Sequence, residues 1–174
     1  MYEIILEPAC QENSQEIVDL VNQCYRGKTA TGWTSEIDIL EGDRITKQHL
    51  LNQLLNDQYT ILVVKNESNR IIACVCLEKK DLETVYLGMI SVSPLVQGKG
   101  FGSSFLESIE NWVIHNWNIR NFTMTVINQR KELIEWYLRR GYVNTNQVIP
   151  FPQSFEFGKP KIDGLTFTVL NKIA

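Results

Sequence analysis

Apolar side chains recur every three or four residues in four stretches of the chain, a spacing typical of amphipathic helices. Before the first stretch, Asn13 and Glu16 resemble a capping pair. Thr46 is the predicted N-cap of the second helix, and Gly141 is the predicted C-cap of the fourth. The predicted helices are residues 14–25, a segment after Thr46 that carries leucines 50, 51, 54 and 55, residues 102–117, and residues 131–140.

Seven other stretches alternate apolar and polar side chains or are rich in β-branched residues, which predicts strands. They are residues 2–7, 59–64, 70–78, 83–92, 122–127, 142–149 and 165–170. Short turns join the second, third and fourth strands into an antiparallel meander. A helix separates the fourth strand from the fifth, which predicts one parallel pair joined by a crossover. The pattern therefore predicts one α/β domain over residues 1–174, with a mixed, mostly antiparallel sheet and about four helices.

Two segments break these periodic patterns. Residues 26–42 hold three glycines around Trp33-Thr34-Ser35-Glu36, and residues 150–164 are rich in proline, glycine and phenylalanine. Irregular segments on a rigid scaffold often carry binding groups. The first segment is therefore either a wall of a substrate pocket or a surface loop anchored by one tryptophan. The second should fold back over the domain as a loop.

Three closely spaced glycines, Gly98, Gly100 and Gly102, lie between the fourth predicted strand and the third predicted helix. Glycine permits positive φ and a close approach of the backbone to a ligand. The first turn of a helix offers N–H groups without intrahelical partners, which favour an anion. The segment is thus either an anion-binding loop or a plain turn. Glycine rather than serine or threonine follows Lys99, which argues against a P-loop, and the glycine spacing does not fit dinucleotide binding.

Composition and charge narrow the classes of function. The chain has 174 residues, of which 44% are hydrophobic and 21% charged, as is ordinary for a globular domain. A formal net charge of −3 gives no overall electrostatic reason to bind nucleic acid or an anionic membrane. The sequence shows no leader pattern and no apolar run of membrane-spanning length. We therefore expect a cytoplasmic protein whose partners include neither nucleic acid nor membrane.

The cysteines and histidines do not predict a metal site. Cys10, Cys24, Cys74 and Cys76 lack the spacing of zinc ligands, and we interpret them as buried thiols in a reducing compartment. The last two lie two residues apart in a predicted strand and should face the same side. The two histidines lie in predicted helices without a partner at motif spacing, so we interpret them as structural or surface residues.

Two motifs connect these observations. The fourth predicted strand is followed by Gln97-Gly98-Lys99-Gly100-Phe101-Gly102, and the fourth predicted helix places Tyr137 four residues before Gly141-Tyr142. In this order the motifs resemble the two signatures of the GNAT superfamily, the acyl-coenzyme-A-dependent N-acyltransferases. The first signature of that family is Arg or Gln, two residues, Gly, one residue, and Gly or Ala. The resemblance covers most of the chain, from the first strand to Leu170.

The resemblance implies a sheet that splays between its fourth and fifth strands, and acetyl-CoA as cosubstrate without a metal. Loop amides would hold the pyrophosphate, and the end of the fourth strand would hold the pantetheine arm and the thioester carbonyl. Family members often carry an asparagine seven residues before the tyrosine; Arg130 stands there, and Asn128 is the nearest asparagine. The implied cofactor-binding residues are Ile90, Ser91, Val92, Gln97, Gly98, Lys99, Gly100, Phe101, Gly102, Ser103 and Asn128.

Acyl transfer to an amine needs a proton donor for the departing thiolate and an acceptor for the amine proton. The resemblance assigns the first role, that of general acid, to Tyr137. The general base varies among family members, and Glu36 is our first candidate, followed by Glu78 and Glu83. Residues 32–36 and 150–152 resemble segments of a subgroup of small GNAT proteins. The predicted walls of the acceptor pocket are therefore Trp33, Thr34, Glu36 and Phe151.

The leading functional hypothesis is an N-acetyltransferase that moves an acetyl group from acetyl-CoA to a primary amine of a small molecule or peptide, by direct attack through a tetrahedral intermediate. The alternative is a non-catalytic CoA-binding regulatory module of the same fold. A third hypothesis is a structural protein whose glycine loop is only a turn. The expected partners are acetyl-CoA and the amine acceptor, with the chain as a monomer or homodimer.

Overall fold

A mixed seven-stranded sheet forms the centre of the protein. The computed structural model describes residues 4–27, 35–98, 100–152, 154 and 158–174. The strands in these residues are β1 (Glu7–Pro8), β2 (Leu40–Glu41), β3 (Tyr59–Lys65), β4 (Ile71–Lys79), β5 (Thr84–Val92), β6 (Asn121–Ile127), β7 (Val143–Pro150), β8 (Lys159–Pro160) and β9 (Thr166–Ile173). The α-helices are α1 (Ser14–Arg26), α2 (Lys47–Leu54), α3 (Phe101–Trp117) and α4 (Lys131–Leu138).

The large sheet has the strand order β1-β3-β4-β5-β6-β9-β7. Its one parallel pair is β5 with β6, which α3 connects, and all its other pairs are antiparallel. β2 and β8 form a separate two-stranded sheet. The predicted α/β architecture, with a mostly antiparallel sheet and one crossover, is confirmed.

Two helices cover each face of the sheet. Residues of α1 and α2 pack in one cluster with Ile61 and Val63 of β3. Residues of α3 and α4 pack in a second cluster with Leu62 and Val64. Because successive residues of a strand point to opposite faces, all four of these β3 side chains are buried, as in a sheet covered on both sides.

The first strand and the first helix begin differently from the prediction. Of the described part of the predicted strand 2–7, only Glu7 belongs to β1, and residues 4–6 are not strand. Pro8 is the last residue of β1 and pairs with Leu62, which is tolerated because β1 is an edge strand. Residues 2 and 3 of the predicted strand lie outside the described residues. Asn13 does not cap α1 with Glu16. Its Oδ1 accepts a hydrogen bond from the backbone N–H of Cys10, 3.0 Å away. This bond closes a short 3-10 turn ahead of α1.

The two predicted helix caps are confirmed. Thr46 Oγ1 accepts a hydrogen bond from the backbone N–H of His49 at 3.2 Å. Gly141 follows α4 with φ of +88°, and the next N–H, of Tyr142, returns to the carbonyl of Tyr137. The helix itself ends at Leu138, two residues earlier than the pattern predicted.

The two irregular segments of the sequence meet in the structure. Leu40 of β2 pairs with Pro160 of β8, and Lys161 Nζ donates to the carbonyl of Ile37 at 2.6 Å. Leu40 also shares a small buried cluster with Phe151. The two segments therefore pack against each other. The sequence pattern of each segment alone did not predict this contact.

The prediction of buried cysteines holds for three of the four. Cys24, Cys74 and Cys76 are buried and belong to the cluster beneath α1, whereas Cys10 is exposed. The shared cluster confirms that the thiols of β4 face the same side. Burial raises the pKa of the Cys24 thiol to about 11 and that of Cys76 to about 12.

We expect one thiol per native chain to react rapidly with a disulfide reagent at pH 8, and all four to react after unfolding. The three buried thiols are both shielded and protonated, and the thiolate is the reactive form. The measurement is the time course of thiol labelling in buffer and in denaturant. Cys10→Ser should abolish the rapid phase, and a second rapidly labelled thiol in the wild type would contradict the burial described here.

Candidate active site

The parallel pair at the centre of the sheet opens partway along its length. β5 and β6 pair only from Thr84 to Tyr86 on one strand and from Asn121 to Thr123 on the other. Just beyond the last pair, the hydroxyl of Tyr86 and that of Thr125 lie 2.7 Å apart. Past this point the two strands diverge, and two cavities lie along the opening.

An irregularity in β5 shapes this opening. Two residue steps on β4 match three on β5, so β5 carries one extra residue, and Met89 there has φ of +55°. A β-bulge of this kind bends a strand and changes its twist. The carbonyl of Ile90 accepts from the phenol of Tyr25 at 3.0 Å, and that of Val92 accepts from Gln97 Nε2 at 2.8 Å. Side chains, rather than β6, therefore pair with these backbone groups.

The glycine loop carries the chain from β5 into α3. Gly98 and Gly100 have φ of +87° and +84°, and Gly100 is the N-cap of the helix. A Cβ at either position would meet no atom of the described chain within 4 Å, so the space beside the loop is open. The left-handed conformation, and not crowding, therefore requires glycine here. Lys99 lies outside the described residues.

The first cavity, of about 260 Å³, lies beside this loop. The guanidinium of Arg140 lies 3.5 Å from the ring centroid of Trp136 and donates to Ser103 Oγ, so a cation stands near the first turn of α3. A helix N-terminus with an adjacent cation favours an anionic ligand. The lining residues are Ile90, Val92, Gln97, Gly98, Gly100, Gly102, Ser103, Leu106, Leu133, Trp136, Tyr137 and Arg140.

Seven of the predicted cofactor-binding residues line this cavity: Ile90, Val92, Gln97, Gly98, Gly100, Gly102 and Ser103. The side chains of Ser91 and Phe101 are buried elsewhere. Ser91 Oγ donates to the carbonyl of Met89, and Phe101 stacks on Phe105 in the core. The sequence did not single out Trp136 or Arg140, although the latter lies directly before Gly141 of the second motif.

Asn128 lines neither cavity. Its Oδ1 accepts from Lys131 Nζ at 2.8 Å and from Thr168 Oγ1 at 3.2 Å, so it joins the start of α4 to β9. Arg130, at the position where the family often has its asparagine, lines the second cavity instead.

The second cavity, of about 220 Å³, is lined by residues of both β5 and β6 beyond their last pair. It shares Ile90, Leu133 and Tyr137 with the first cavity, so the two meet at these three residues. The remaining residues of its lining are Tyr25, Glu36, Leu40, Arg44, Tyr86, Leu87, Gly88, Met89, Met124, Thr125, Val126, Ile127, Arg130, Phe151, Pro152 and Phe167.

Tyr137 stands where the cavities meet. Its ring packs edge-on against the rings of Trp136 and Tyr142, with centroids 5.0 Å and 5.6 Å away. Burial raises the pKa of the Tyr137 phenol, and the nearby guanidinium of Arg130 opposes this effect only in part. The phenol therefore carries its proton at neutral pH.

Glu36 lines the second cavity, as its place in the irregular segment suggested. Its carboxylate forms an ion pair with Arg26, and both side chains are largely buried. Its backbone N–H donates to the carbonyl of Tyr25 at 2.9 Å, which fixes the segment against the end of α1. Glu78 and Glu83 are not in the described lining of either cavity, and the first of these pairs with Lys80.

Of the other predicted acceptor-site residues, Phe151 lines the second cavity and stacks on Phe167, with ring centroids 5.3 Å apart. Trp33 and Thr34 lie outside the described residues. The sequence did not identify Tyr25, Tyr86 or Arg44 as part of this wall, because they come from separate elements and share no motif.

No group of three or more His, Cys, Asp or Glu side chains in the described ranges is placed to hold a metal ion. None of the helices that the structure describes combines the length and apolar character needed to cross a membrane.

Solved structures similar to this chain share its fold. A putative phosphinothricin N-acetyltransferase superposes with a TM-score of 0.71 at 15% identity, covering 98% of each chain. The spermidine/spermine N-acetyltransferase SpeG from Vibrio cholerae, in mutant forms, gives 0.67 at 13% identity, covering 98% of this chain and 95% of that one. A GNAT family acetyltransferase from Elizabethkingia anophelis with acetyl-CoA bound gives 0.67 at 16% identity, covering both chains fully.

Sequence comparison identifies the family directly. Among curated proteins, none matches this sequence significantly. The model of the acetyltransferase (GNAT) family matches residues 15–142, which include the glycine loop, Tyr137 and Gly141-Tyr142. Since this match covers well over half of the chain, and the sheet opens where the family resemblance implies, the protein belongs to the GNAT acetyltransferase family.

Proposed function

We propose that the protein transfers an acetyl group from acetyl-CoA to a primary amine of a small molecule or peptide, by direct attack through a tetrahedral intermediate. The observation that carries this proposal is the meeting of two cavities at Tyr137, Ile90 and Leu133. One cavity adjoins the glycine loop and the other does not. Two substrates, one bound in each cavity, would thus bring their reacting atoms together beside one phenol.

The first cavity fits acetyl-CoA, which supplies the activated thioester when bound. Its loop offers open space beside Gly98 and Gly100, the N-terminal turn of α3 and the guanidinium of Arg140, all suited to phosphate oxygens. Along β5, the backbone past Tyr86 has no β6 partner and can pair with an extended arm, as in strand addition.

We assign Tyr137 the role of general acid. Its position in both linings supports this assignment, because substrates bound in the two cavities would bring the breaking C–S bond and the forming N–C bond beside the phenol, which holds its proton at neutral pH. The phenolic proton then goes to the departing sulfur. Positioned proton transfer of this kind contributes about 10²- to 10⁴-fold to a rate.

We assign Glu36 the role of accepting the amine proton, because it is the one carboxylate in the described lining of the second cavity. One of its oxygens is held by Arg26, which fixes the side chain, and the proton would go to the other. The nitrogen acceptor itself is supported by the similar structures, which are named as N-acetyltransferases for phosphinothricin and for spermidine.

Incubation with acetyl-CoA and a panel of primary amines should release free CoA thiol, and CoA should raise the thermal midpoint, because a ligand that binds only the folded state stabilises it. The measurements are thiol release, product mass and thermal shift, with heat-denatured protein as control. A thermal shift without turnover of any amine class would favour the non-catalytic CoA-binding module. No shift with CoA would contradict the proposal altogether.

Tyr137→Phe should lower kcat by about 10²- to 10⁴-fold because only the donated proton is lost. The ring still fills the core, so the affinity for CoA and the stability should change little. Steady-state kinetics and calorimetric titration with CoA provide the measurements. If Tyr137→Phe turns over at the wild-type rate, the phenol has no part in the reaction.

The matched control is Tyr142→Phe, a second buried tyrosine that lines neither cavity. Its phenol donates to Glu110 at 2.9 Å, and Lys172 approaches the same carboxylate. Loss of a hydrogen bond to a charged group should lower the free energy of unfolding by about 2 kcal/mol. The kcat of the folded variant should remain that of the wild type.

Gly100→Ala should weaken CoA binding by about tenfold or more, because alanine at φ near +84° is strained and shifts the loop amides. Gly164→Ala is the control: it also has positive φ, +72°, and open space for a Cβ, but lies far along the chain in the segment before β9. Both variants should lose similar stability in urea unfolding. Only the loop variant should change the Kd for CoA, and equal affinities would remove the loop from the binding site.

A further inference from the structure

Two arginines line the second cavity, although the chain as a whole carries a formal net charge of −3. Three side chains in the described lining are charged, namely Glu36, Arg44 and Arg130. The glutamate is ion-paired with Arg26, and both side chains of this pair are largely buried. The described lining therefore holds two guanidinium groups and one carboxylate that already has a cationic partner.

Arg44 is held in place from two directions. Its backbone N–H donates to Asn22 Oδ1 at 2.8 Å, just ahead of α2. Its guanidinium lies over the ring of Tyr25, 5.4 Å from the centroid. Burial raises the pKa of the Tyr25 phenol, so the tyrosine stays neutral and does not cancel the charge of the arginine.

Arg130 is anchored through its backbone at the start of α4. Its N–H donates to the carbonyl of Ile127 at 2.8 Å, and its own carbonyl accepts from Ile134 at 3.0 Å. The Nη1 atom of its side chain is buried, yet it has no hydrogen-bond acceptor among the residues that the structure describes. A buried donor without an acceptor is costly, and a guanidinium is well matched to a carboxylate.

The rest of the lining is mainly apolar on the side of the irregular segments. Leu40, Phe151 and Phe167 line the cavity there, and the first two lie in one small buried cluster. A volume of about 220 Å³ suits a small molecule. The cavity thus offers a cationic region, an apolar region, and the phenol of Tyr137.

We infer that the acetyl acceptor is a small amine that also carries a carboxylate, an apolar amino acid, and that Arg130, assisted by Arg44, binds this carboxylate. The inference rests on the proposed function, because it identifies the acceptor of that same site. The carboxylate supplies the acceptor that Arg130 Nη1 lacks among the described residues, and the amino group lies toward Tyr137 and Glu36. The apolar side chain contacts Leu40 and the two phenylalanines.

The test compares each amino acid with its own amide. Leucine, methionine and phenylalanine, and the three corresponding amides, are assayed for kcat/KM at saturating acetyl-CoA. The amides have the less basic amino group and so the larger neutral fraction at pH 8, which biases the comparison against the inference. We expect at least one amino acid to exceed its amide by about tenfold or more, since charged hydrogen bonds of this kind have such an effect.

Arg130→Gln should remove this preference. The kcat/KM of the preferred amino acid should fall by about 10- to 100-fold more than that of its amide. Any loss shared by both substrates is expected from the effect of the Arg130 guanidinium on the Tyr137 phenol. Arg120→Gln, an exposed arginine before β6, is the matched control and should keep the wild-type ratio. The ratio of the two substrates cancels any general loss of folded enzyme.

Three outcomes would overturn the inference. The first is a wild type that favours every amide, or treats acid and amide equally. The second is an equal loss on both substrates in Arg130→Gln, which indicates an arginine that acts on the fold or on Tyr137 and not on a carboxylate. The third is transfer to amines in the panel without any carboxylate preference, in which case the acetyltransferase proposal stands and the acceptor class is wrong.

If no amine is acetylated, a binding measurement still tests the carboxylate site separately from the acetyltransferase proposal. Calorimetric titration of the CoA-saturated protein with the same amino acids and amides then replaces kinetics. Binding of an amino acid that Arg130→Gln abolishes and Arg120→Gln retains supports the carboxylate site, even though the acetyltransferase proposal has failed. Absence of binding in the wild type contradicts the carboxylate site as well.

Discussion

Beyond Tyr86, the backbone of β5 has no strand beside it on the side of β6. Buried N–H and C=O groups need hydrogen-bond partners, so an opened sheet must find them elsewhere. Here Tyr25 from α1 and Gln97 from the glycine loop donate to carbonyls at the end of β5. The opening is thus held by side chains from neighbouring elements, and both cavities exist because β6 does not close it.

The same opening explains why α4 contributes to both cavities, since its residues Leu133 and Tyr137 line each of them. Gly100, the N-cap of α3, lines the first cavity, and the turn at Gly141 follows α4. The ring of Tyr137 packs in the main core with Trp136 and Tyr142, so it is positioned by the same contacts that stabilise the fold. Burial raises the pKa of the phenol, so the same packing also sets its protonation state.

Much of this architecture could be predicted from the sequence because the relevant forces are local. Thr46 and the leucines after it encode the start of a helix and its apolar side, and the glycines of the loop encode positive φ. None of these signals depends on distant residues. The β2 and β8 strands could not be predicted, since each has two residues and exists only through the other. The capping role predicted for Asn13 was wrong because a short turn with Cys10 competes for its side chain.

The lining of the second cavity shows a different limit of prediction from the sequence. Arg44 and Arg130 come from separate loops, and no spacing in the sequence joins them; only the folded chain does. The sequence predicted Glu36 and Phe151 for this wall, whereas Arg130 stood out only as arginine where the family often has asparagine. Family motifs identify what members share, and residues that differ from a motif have no such signature. In the proposed acceptor site, the arginine that departs from the motif is the group that would select the acceptor, and a net charge of −3 gives no sign of it.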